Sequence, residues 1–250
     1  MSEEKVIVLG ALSAIAEATA RVYAGRRATL LLAGRDQARL AVLRNDLLAR
    51  GAARCEIRSL DFAMVDDTAR CFGDFIEAIG GKVDAVYLFY GVLGDQRADE
   101  QDPAAARARL RTNFTSAAEW CLAAANRLER QRGGVLVVAS SVAGDRGRQS
   151  NYIYGAAKAG LSVLVQGIAH RLAPTTARAV LVKLGFIDTP MTAHIEKKGL
   201  LWAQPAVVAE NLVRLADRPR RPVVYVPWFW RGIMLIVRNV PAAIFHKTKL

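Results

Sequence analysis

Short apolar runs without polar alternation, each followed by a longer segment of helical spacing, limit what this chain can fold into. Val6-Ile7-Val8-Leu9, inside residues 5–10, has no polar face, so a strand there must be covered on both sides. Residues 13–24 then carry helical periodicity, 28–33 repeat the buried-strand pattern, and 36–50 form a charged helix. The alternation continues with strand 54–61, helix 64–79, strand 85–90, and a helix over 103–132 that bends or splits near Asn113. Strand 134–140, helix 152–172, strand 178–184, helix 205–217 and strand 222–226 complete it. The pattern predicts an α/β architecture, a doubly wound parallel sheet of about seven strands with helices on both faces.

A length of 250 residues suits one domain, and no linker, repeat or low-complexity tract divides it. With 52% apolar and 23% charged residues the chain can build a core, which excludes a disordered protein. Residues 1–250 are read as one domain, with about 186–250 as a substrate and tail segment. The N-terminus is acidic and runs directly into the first strand, and no stretch reaches the roughly 18–20 apolar residues that span a bilayer. The expected location is the cytoplasm, with the inner face of the membrane as a place the tail would reach. Cys55, Cys71 and Cys121 are widely spaced and lack a Cys-x-x-Cys pair, so they read as buried small side chains in a reducing compartment. The three histidines form no metal set, and only His194 is placed to face a ligand.

The net charge of +12 is uneven: residues 197–250 hold ten Lys or Arg against two acids. Such a surface meets anionic membrane, phosphorylated substrate or nucleic acid, or simply keeps the protein in solution. No groove-reading motif supports nucleic acid. The segment Trp228-Phe229-Trp230-Arg231-Gly232-Ile233-Met234-Leu235-Ile236-Val237-Arg238 is apolar nearly all round with arginines at both ends. It suits a membrane interface, a cover over a pocket or a dimer seam. Lys197, Lys198, Arg231 and Arg238 are candidate phosphate or headgroup contacts, or a solvated basic face.

Leu9-Gly10-Ala11-Leu12-Ser13-Ala14-Ile15-Ala16 joins the first strand to its helix. A glycine turn at a helix N-terminus offers free backbone N–H groups and a positive dipole end to a pyrophosphate, so Gly10, Ser13, Ala14 and Ile15 are candidate cofactor contacts. Ala14 and Ala16 stand where the usual motif has glycine. After the second strand, Ala33-Gly34-Arg35 puts no carboxylate where a ribose 2′-hydroxyl would need one, and Arg35 can pair with a 2′-phosphate. NADP(H) is therefore expected ahead of NAD(H). Asp61 and Phe62, after the third strand, are placed to meet adenine, or Asp61 caps a turn.

Tyr154 and Lys158 stand four apart on the 152–172 helix, on one face of it. A nearby ammonium favours phenolate, bringing a group of ordinary pKa about 10 toward neutral proton exchange. Ser141 adds a hydroxyl that can hold a carbonyl oxygen against the phenol.

Gly10, Asp61, Gly91, Asn113, Ser141, Tyr154 and Lys158, in this order and each at the expected secondary-structure junction, resemble the short-chain dehydrogenase/reductase family over essentially the whole chain. The resemblance implies a Rossmann-like sheet, a nicotinamide cofactor and a Ser-Tyr-Lys-Asn centre. Tyr154 would be acid/base, Ser141 would orient the carbonyl, Lys158 would bind ribose and lower the Tyr154 pKa, and Asn113 would hold a water. Ile187 and Thr189 match positions that meet the carboxamide, and Tyr154 and Lys158 also count among the cofactor contacts. A homodimer or homotetramer is implied, packed through the Asn113 and Tyr154 helices.

Two departures stand out. Phe89-Tyr90-Gly91 replaces the family's Asn-Ala-Gly, and Leu184-Gly185 replaces its Pro-Gly. Gly91-Val92-Leu93-Gly94-Asp95, Met191-Thr192-Ala193-His194 and the stretch from Arg238 to Lys247 are similar to decaprenylphosphoryl-2-keto-erythro-pentose reductases. That likeness implies a lipid-linked or amphiphilic keto substrate. A reductase of a soluble or fatty-acyl ketone, and a non-catalytic NADP(H)-binding regulator, are the competing expectations.

Overall fold

The apolar runs become strands because each is covered twice. In the computed structural model, which describes residues 3–193, 195 and 199–248, β1 (Lys5–Leu9) pairs in parallel with β2 (Thr29–Gly34) on one side and β4 (Ala85–Leu88) on the other. β3 (Arg54–Ser59), β5 (Val135–Ser141), β6 (Arg178–Leu184) and β9 (Val223–Val226) extend the sheet to the order β3-β2-β1-β4-β5-β6-β9. Successive side chains go to opposite cores. Ile7, Leu9, Leu31, Leu88 and Val138 pack against α3 (Thr68–Ala78), α6 (Ser116–Gln131) and α7 (Tyr152–Leu172). Val6, Val8, Leu30, Leu32 and Val137 pack against α1 (Ala14–Gly25), α2 (Gln37–Ala49) and α8 (Pro205–Asp217). The strand order reverses between β1 and β4, and a doubly wound sheet opens its crevice there, beyond the carboxyl ends of the strands.

Three segments differ from the sequence expectation. The helix expected over 64–79 starts at Thr68, because Asp67 caps it by accepting from the Arg70 N–H; residues Phe62–Met64 form a separate 3₁₀ turn capped by Asp61. The long helix over 103–132 is split where Asn113 suggested: α5 (Pro103–Leu110) and α6 are joined by a π-helical turn, Arg111–Thr115, and a short α4 (Gln96–Gln101) precedes them. The extra residue of a π turn re-aims the side chains around it, and such turns gather at functional sites. A two-residue parallel pair, β7 (Phe186–Ile187) with β8 (Trp202–Ala203), had no sequence signal long enough to read.

The tail folds as α9 (Trp230–Asn239) and α10 (Ala242–Phe245), separated at Pro241. It is two-faced rather than apolar all round: Trp230 and Met234 are buried with Ile233 and Val237 packed beside them, while Arg231, Leu235, Ile236 and Arg238 face outward. Cys55 and Cys121 are buried, Cys71 is half-buried, and all three are free thiols. Among the described residues no helix is long and apolar enough to cross a membrane, and no group of His, Cys, Asp and Glu could hold a metal ion.

An aromatic cluster ties the first core to the crevice. Trp120 is fully buried, stacked on Phe75 at 5.6 Å and edge-on to Phe62 at 5.4 Å, and its indole N–H donates to the Phe62 carbonyl. Phe62 in turn stacks on Tyr90 at 4.3 Å, under the glycine turn after β1. Trp120→Ala should lower the unfolding free energy by about 3–5 kcal/mol, the range for truncating a buried aromatic. Urea denaturation measures it, and a loss below about 1 kcal/mol would show that the cluster does not carry the core.

Candidate active site

The turn after β1 is built for close approach. Gly10 has φ +85°, and a Cβ on it would lie 2.5 Å from the Tyr90 backbone nitrogen. The Gly10 and Ala11 N–H groups both donate to the Ala33 carbonyl, which ties the turn to β2. Ser13 caps α1, its hydroxyl accepting from the Ala16 N–H at 3.3 Å. Ser13, Ala14 and Ile15 line a 280 Å³ cavity together with Gly91, Tyr154, Lys158 and Thr189. A neighbouring 300 Å³ cavity is walled by Gly10, Gly34, Arg35, Asp61, Phe62 and Gly91. Asp61 therefore both caps its turn, accepting from the Ala63 N–H at 2.9 Å, and borders the crevice. Phe62 lies mostly within the core.

Arg39 lines both spaces, and the sequence reading passed over it. Its signal was a second arginine soon after Arg35, where the first turn of α2 brings it back over the crevice.

Asn113 is buried in the π turn, and its amide binds the Val92 backbone in both directions: Oδ1 accepts from the Val92 N–H and Nδ2 donates to the Val92 carbonyl, each at 2.8 Å. The side chain is thus committed to the loop after β4. A Cβ on Gly91 would meet Asn113 Oδ1 at 2.8 Å and Lys158 Nζ at 3.4 Å, so glycine lets the three groups close up. Tyr90, in place of the usual alanine, bonds through its hydroxyl to Ser116.

Ser140 and Ser141 divide their work by strand alternation. The buried Ser140 hydroxyl donates to the Lys158 carbonyl and pairs with Ser162, clamping α7 to β5. Ser141 turns the other way, its hydroxyl accepting from the Ala143 N–H at 3.1 Å, and lines the same cavity as the Tyr154 phenol. Two glycines permit the approach: a Cβ on Gly144 would lie 2.7 Å from the Ala159 nitrogen, and one on Gly155 2.9 Å from the Ala143 carbonyl oxygen.

Lys158 is 4% exposed; Nζ donates to the Ala139 carbonyl at 3.1 Å and lies 5.8 Å from the centre of the Tyr154 ring. Burial lowers its pKa to about 8. Burial also pushes the Tyr154 phenol up to about 12, with the Ser141 hydrogen bond opposing. This direction is opposite to the sequence expectation of a phenol eased toward neutrality by its lysine. Desolvation of the buried phenol is the dominant cause, and the lysine four residues on is itself desolvated.

Beyond Tyr154 and Ser141 opens a 440 Å³ cavity whose walls include Ile15, Leu93, Phe186, Ile187, Thr189 and Met191. Its volume is that of a small-molecule site. Where the family has Pro-Gly, Gly185 sits under the Trp230 indole, at a distance that leaves no space for a Cβ. The tail thus backs this wall. Arg231 and Arg238 lie on its outer side; His194, Lys197 and Lys198 fall outside the described residues.

The short chain dehydrogenase family model matches residues 4–199. An uncharacterized oxidoreductase of Streptomyces coelicolor is 36% identical, over 97% of this chain and 94% of its own. One from Mycobacterium tuberculosis is 32% identical, over 97% of this chain and 96% of its own. Among solved structures, a short-chain type dehydrogenase/reductase from Mycobacterium ulcerans superposes with TM-score 0.79 at 23% identity, over 90% of this chain and 89% of that one. An actinorhodin polyketide ketoreductase variant with NADPH gives 0.77 at 20% identity, over 87% and 91%. The doubly wound sheet, the match over most of the chain and these relatives together make the protein an oxidoreductase of the short-chain dehydrogenase/reductase family.

Proposed function

We propose that the protein interconverts a ketone and a secondary alcohol with NADP(H), with Tyr154 as proton donor in reduction. One observation carries this reading: the Ser141 hydroxyl and the Tyr154 phenol line one 440 Å³ cavity, and the phenol also borders the neighbouring space with a buried lysine. The crevice residues fit a dinucleotide. Gly10 and Gly91 border the crevice without side chains, Ser13 to Ile15 present the positive end of α1, and Lys158 holds an ammonium without a carboxylate partner among the described residues. Gly34 offers no carboxylate to a 2′-hydroxyl, and Arg35 and Arg39 supply positive charge at the same cavity, which supports NADP(H) over NAD(H). Ile187 and Thr189 line the same cavity as Tyr154, which supports a carboxamide contact from them.

When bound, the nicotinamide supplies the hydride. Ser141 then donates a hydrogen bond to the carbonyl oxygen and its developing alkoxide, and Tyr154 delivers the proton. Lys158, charged at neutral pH, binds hydroxyls of the cofactor and steadies the phenolate left behind. Asn113 holds the Gly91–Val92 loop against that lysine. The intact set of Asn113, Ser141, Tyr154 and Lys158 speaks against a silent cofactor-binding regulator.

For the substrate, we favour a lipid-linked or amphiphilic ketone over a soluble or fatty-acyl one. Support comes from the outer surface of the tail, where Trp228 is 82%, Leu235 65%, Ile236 70% and Ile244 60% exposed and Arg231 and Arg238 are also exposed. Apolar and basic groups side by side suit an anionic membrane surface. Exposed Leu122 on α6 and Val163 on α7 support self-association through those helices.

Tyr154→Phe should cut ketone-dependent NADPH oxidation by about 10²–10⁴-fold, the contribution of a general acid, with NADPH binding near that of the parent. Turnover retained by the purified variant would remove Tyr154 from the mechanism.

The pH dependence has a defined sign. Reduction needs Tyr154 protonated, which holds up to about 12, and Lys158 charged, which holds below about 8. For reduction, kcat/KM should be level on the acid side and fall as pH rises through about 8. Lys158→Met should lack that break. Oxidation needs phenolate together with the Lys158 ammonium, so its kcat/KM should rise with pH up to about 8 and level off above it. A reduction profile that stays level well past the Lys158 transition would exclude the ammonium as a required group.

The membrane reading predicts co-sedimentation with phosphatidylglycerol vesicles that salt weakens and that the pair Trp228→Ser, Ile236→Ser abolishes. Equal recovery with phosphatidylcholine vesicles would count against it.

A further inference from the structure

Arg148 differs from every other charged group around the cavity. It lies in the loop between the Ser141 turn and α7, half-buried, and lines both the 440 Å³ cavity and a second space of 580 Å³ walled by Arg146, Tyr152, Phe245 and His246. The neighbouring Arg146 is fully engaged: Nη1 donates to the Val237 and Val240 carbonyls at 2.5 and 2.7 Å, and the guanidinium stacks 3.7 Å from the centre of the Phe245 ring. Arg148 has nothing comparable. Its Nη2 reaches the Met234 sulfur at 3.5 Å, a weak acceptor, and its Nε is sealed from solvent without a partner. Asp145, the nearest acid in the loop, is already bound to Lys183 and to the Tyr225 hydroxyl at 2.7 Å. Burial lowers the Arg148 pKa, yet a guanidinium stays charged at any working pH.

The same wall offers two more unspent groups. Asn151 Oδ1 is buried without a partner. Asn151 also begins α7 without capping it, and Ser150, Asn151 and Tyr154 line the cavity, so the positive end of a 21-residue helix opens there. Of that first turn, the Ile153 N–H is taken by Gln96 Oε1 at 3.1 Å. No carboxylate lines this cavity among the described residues.

We propose that Arg148 and the first turn of α7 form an oxyanion subsite within the substrate cavity, so that the ketone reduced at Tyr154 carries a carboxylate or phosphate group. Asn151 Oδ1 accepts from a hydroxyl beside that group. The proposal rests on the reading of this cavity as the ketone site, and adds what it selects.

Matched ketones test it: levulinate against methyl levulinate, and dihydroxyacetone phosphate against dihydroxyacetone. The first pair reports a carboxylate, the second a phosphate. In at least one pair the anionic member should have the higher kcat/KM by about tenfold or more, the scale of a hydrogen bond to a charged group. Arg148→Gln should erase that preference through KM and leave the neutral member within about twofold, while Arg148→Lys keeps part of it. Met234→Leu controls for loosening of the tail. Binding of levulinate and of inorganic phosphate, followed by tryptophan fluorescence, gives a readout that needs no turnover and should weaken about tenfold in Arg148→Gln. Equal use of both members in each pair, or an equal loss of both in Arg148→Gln, overturns the proposal. Neutral-ketone turnover that Tyr154→Phe abolishes would leave the oxidoreductase reading standing in that event.

Discussion

A lysine ammonium buried beside a phenol, with a single backbone carbonyl to hold it, is the constraint around which this site is arranged. Lowering the Lys158 pKa from 10.5 to about 8 corresponds to about 3 kcal/mol at neutral pH. Because the folded value is the lower one, this is a cost: it is absent above the unfolded value and fully present once pH has fallen through about 8. The fold tolerates the strain by gripping the helix that carries the lysine. Ser140 and Ser162 bind the Lys158 carbonyl, Gly144 and Gly155 let α7 lie directly on the loop after β5, and Asn113 pins Gly91 over Nζ. On the proposed reading, cofactor hydroxyls entering the crevice would give the ammonium the partners that the protein withholds.

Most of this scaffold was legible because strands buried on both faces leave an unmistakable trace. Val6 to Leu9 and Leu30 to Ala33 cannot be anything but interior, and the glycines and polar residues at their ends fall where the strand order reverses. The Tyr154–Lys158 spacing was equally plain, since four residues on a helix fix a shared face. The direction of the Tyr154 pKa was not. It depends on how dry the phenol is once the fold has closed around it, and spacing does not record that. The π turn at Asn113 was foreshadowed only as a break in a helix too long to be straight. Arg39 and Arg148 were invisible as site residues for a related reason: a surface arginine and a cavity arginine look the same until the partners of each are known.

The tail shows why the second departure from the family pattern is structural. Losing the proline before Gly185 loosens a turn beside the cavity, and the Trp230 indole occupies the space above that glycine. From there α9 runs back over the loop after Ser141, with Trp230 and Met234 packed on Val142 and the Met234 sulfur against Arg148. Arg146 then holds the last carbonyls of α9, where a cation is favoured by the helix dipole. Arginines two apart in one loop thus do opposite things. Arg146 fastens the tail to the wall of the cavity, and in doing so it satisfies the carbonyls that would otherwise compete for its neighbour. With the tail docked, Arg148 lines the 440 Å³ cavity against the Met234 sulfur, so on the proposed reading what the cavity recognises depends on α9 being in place.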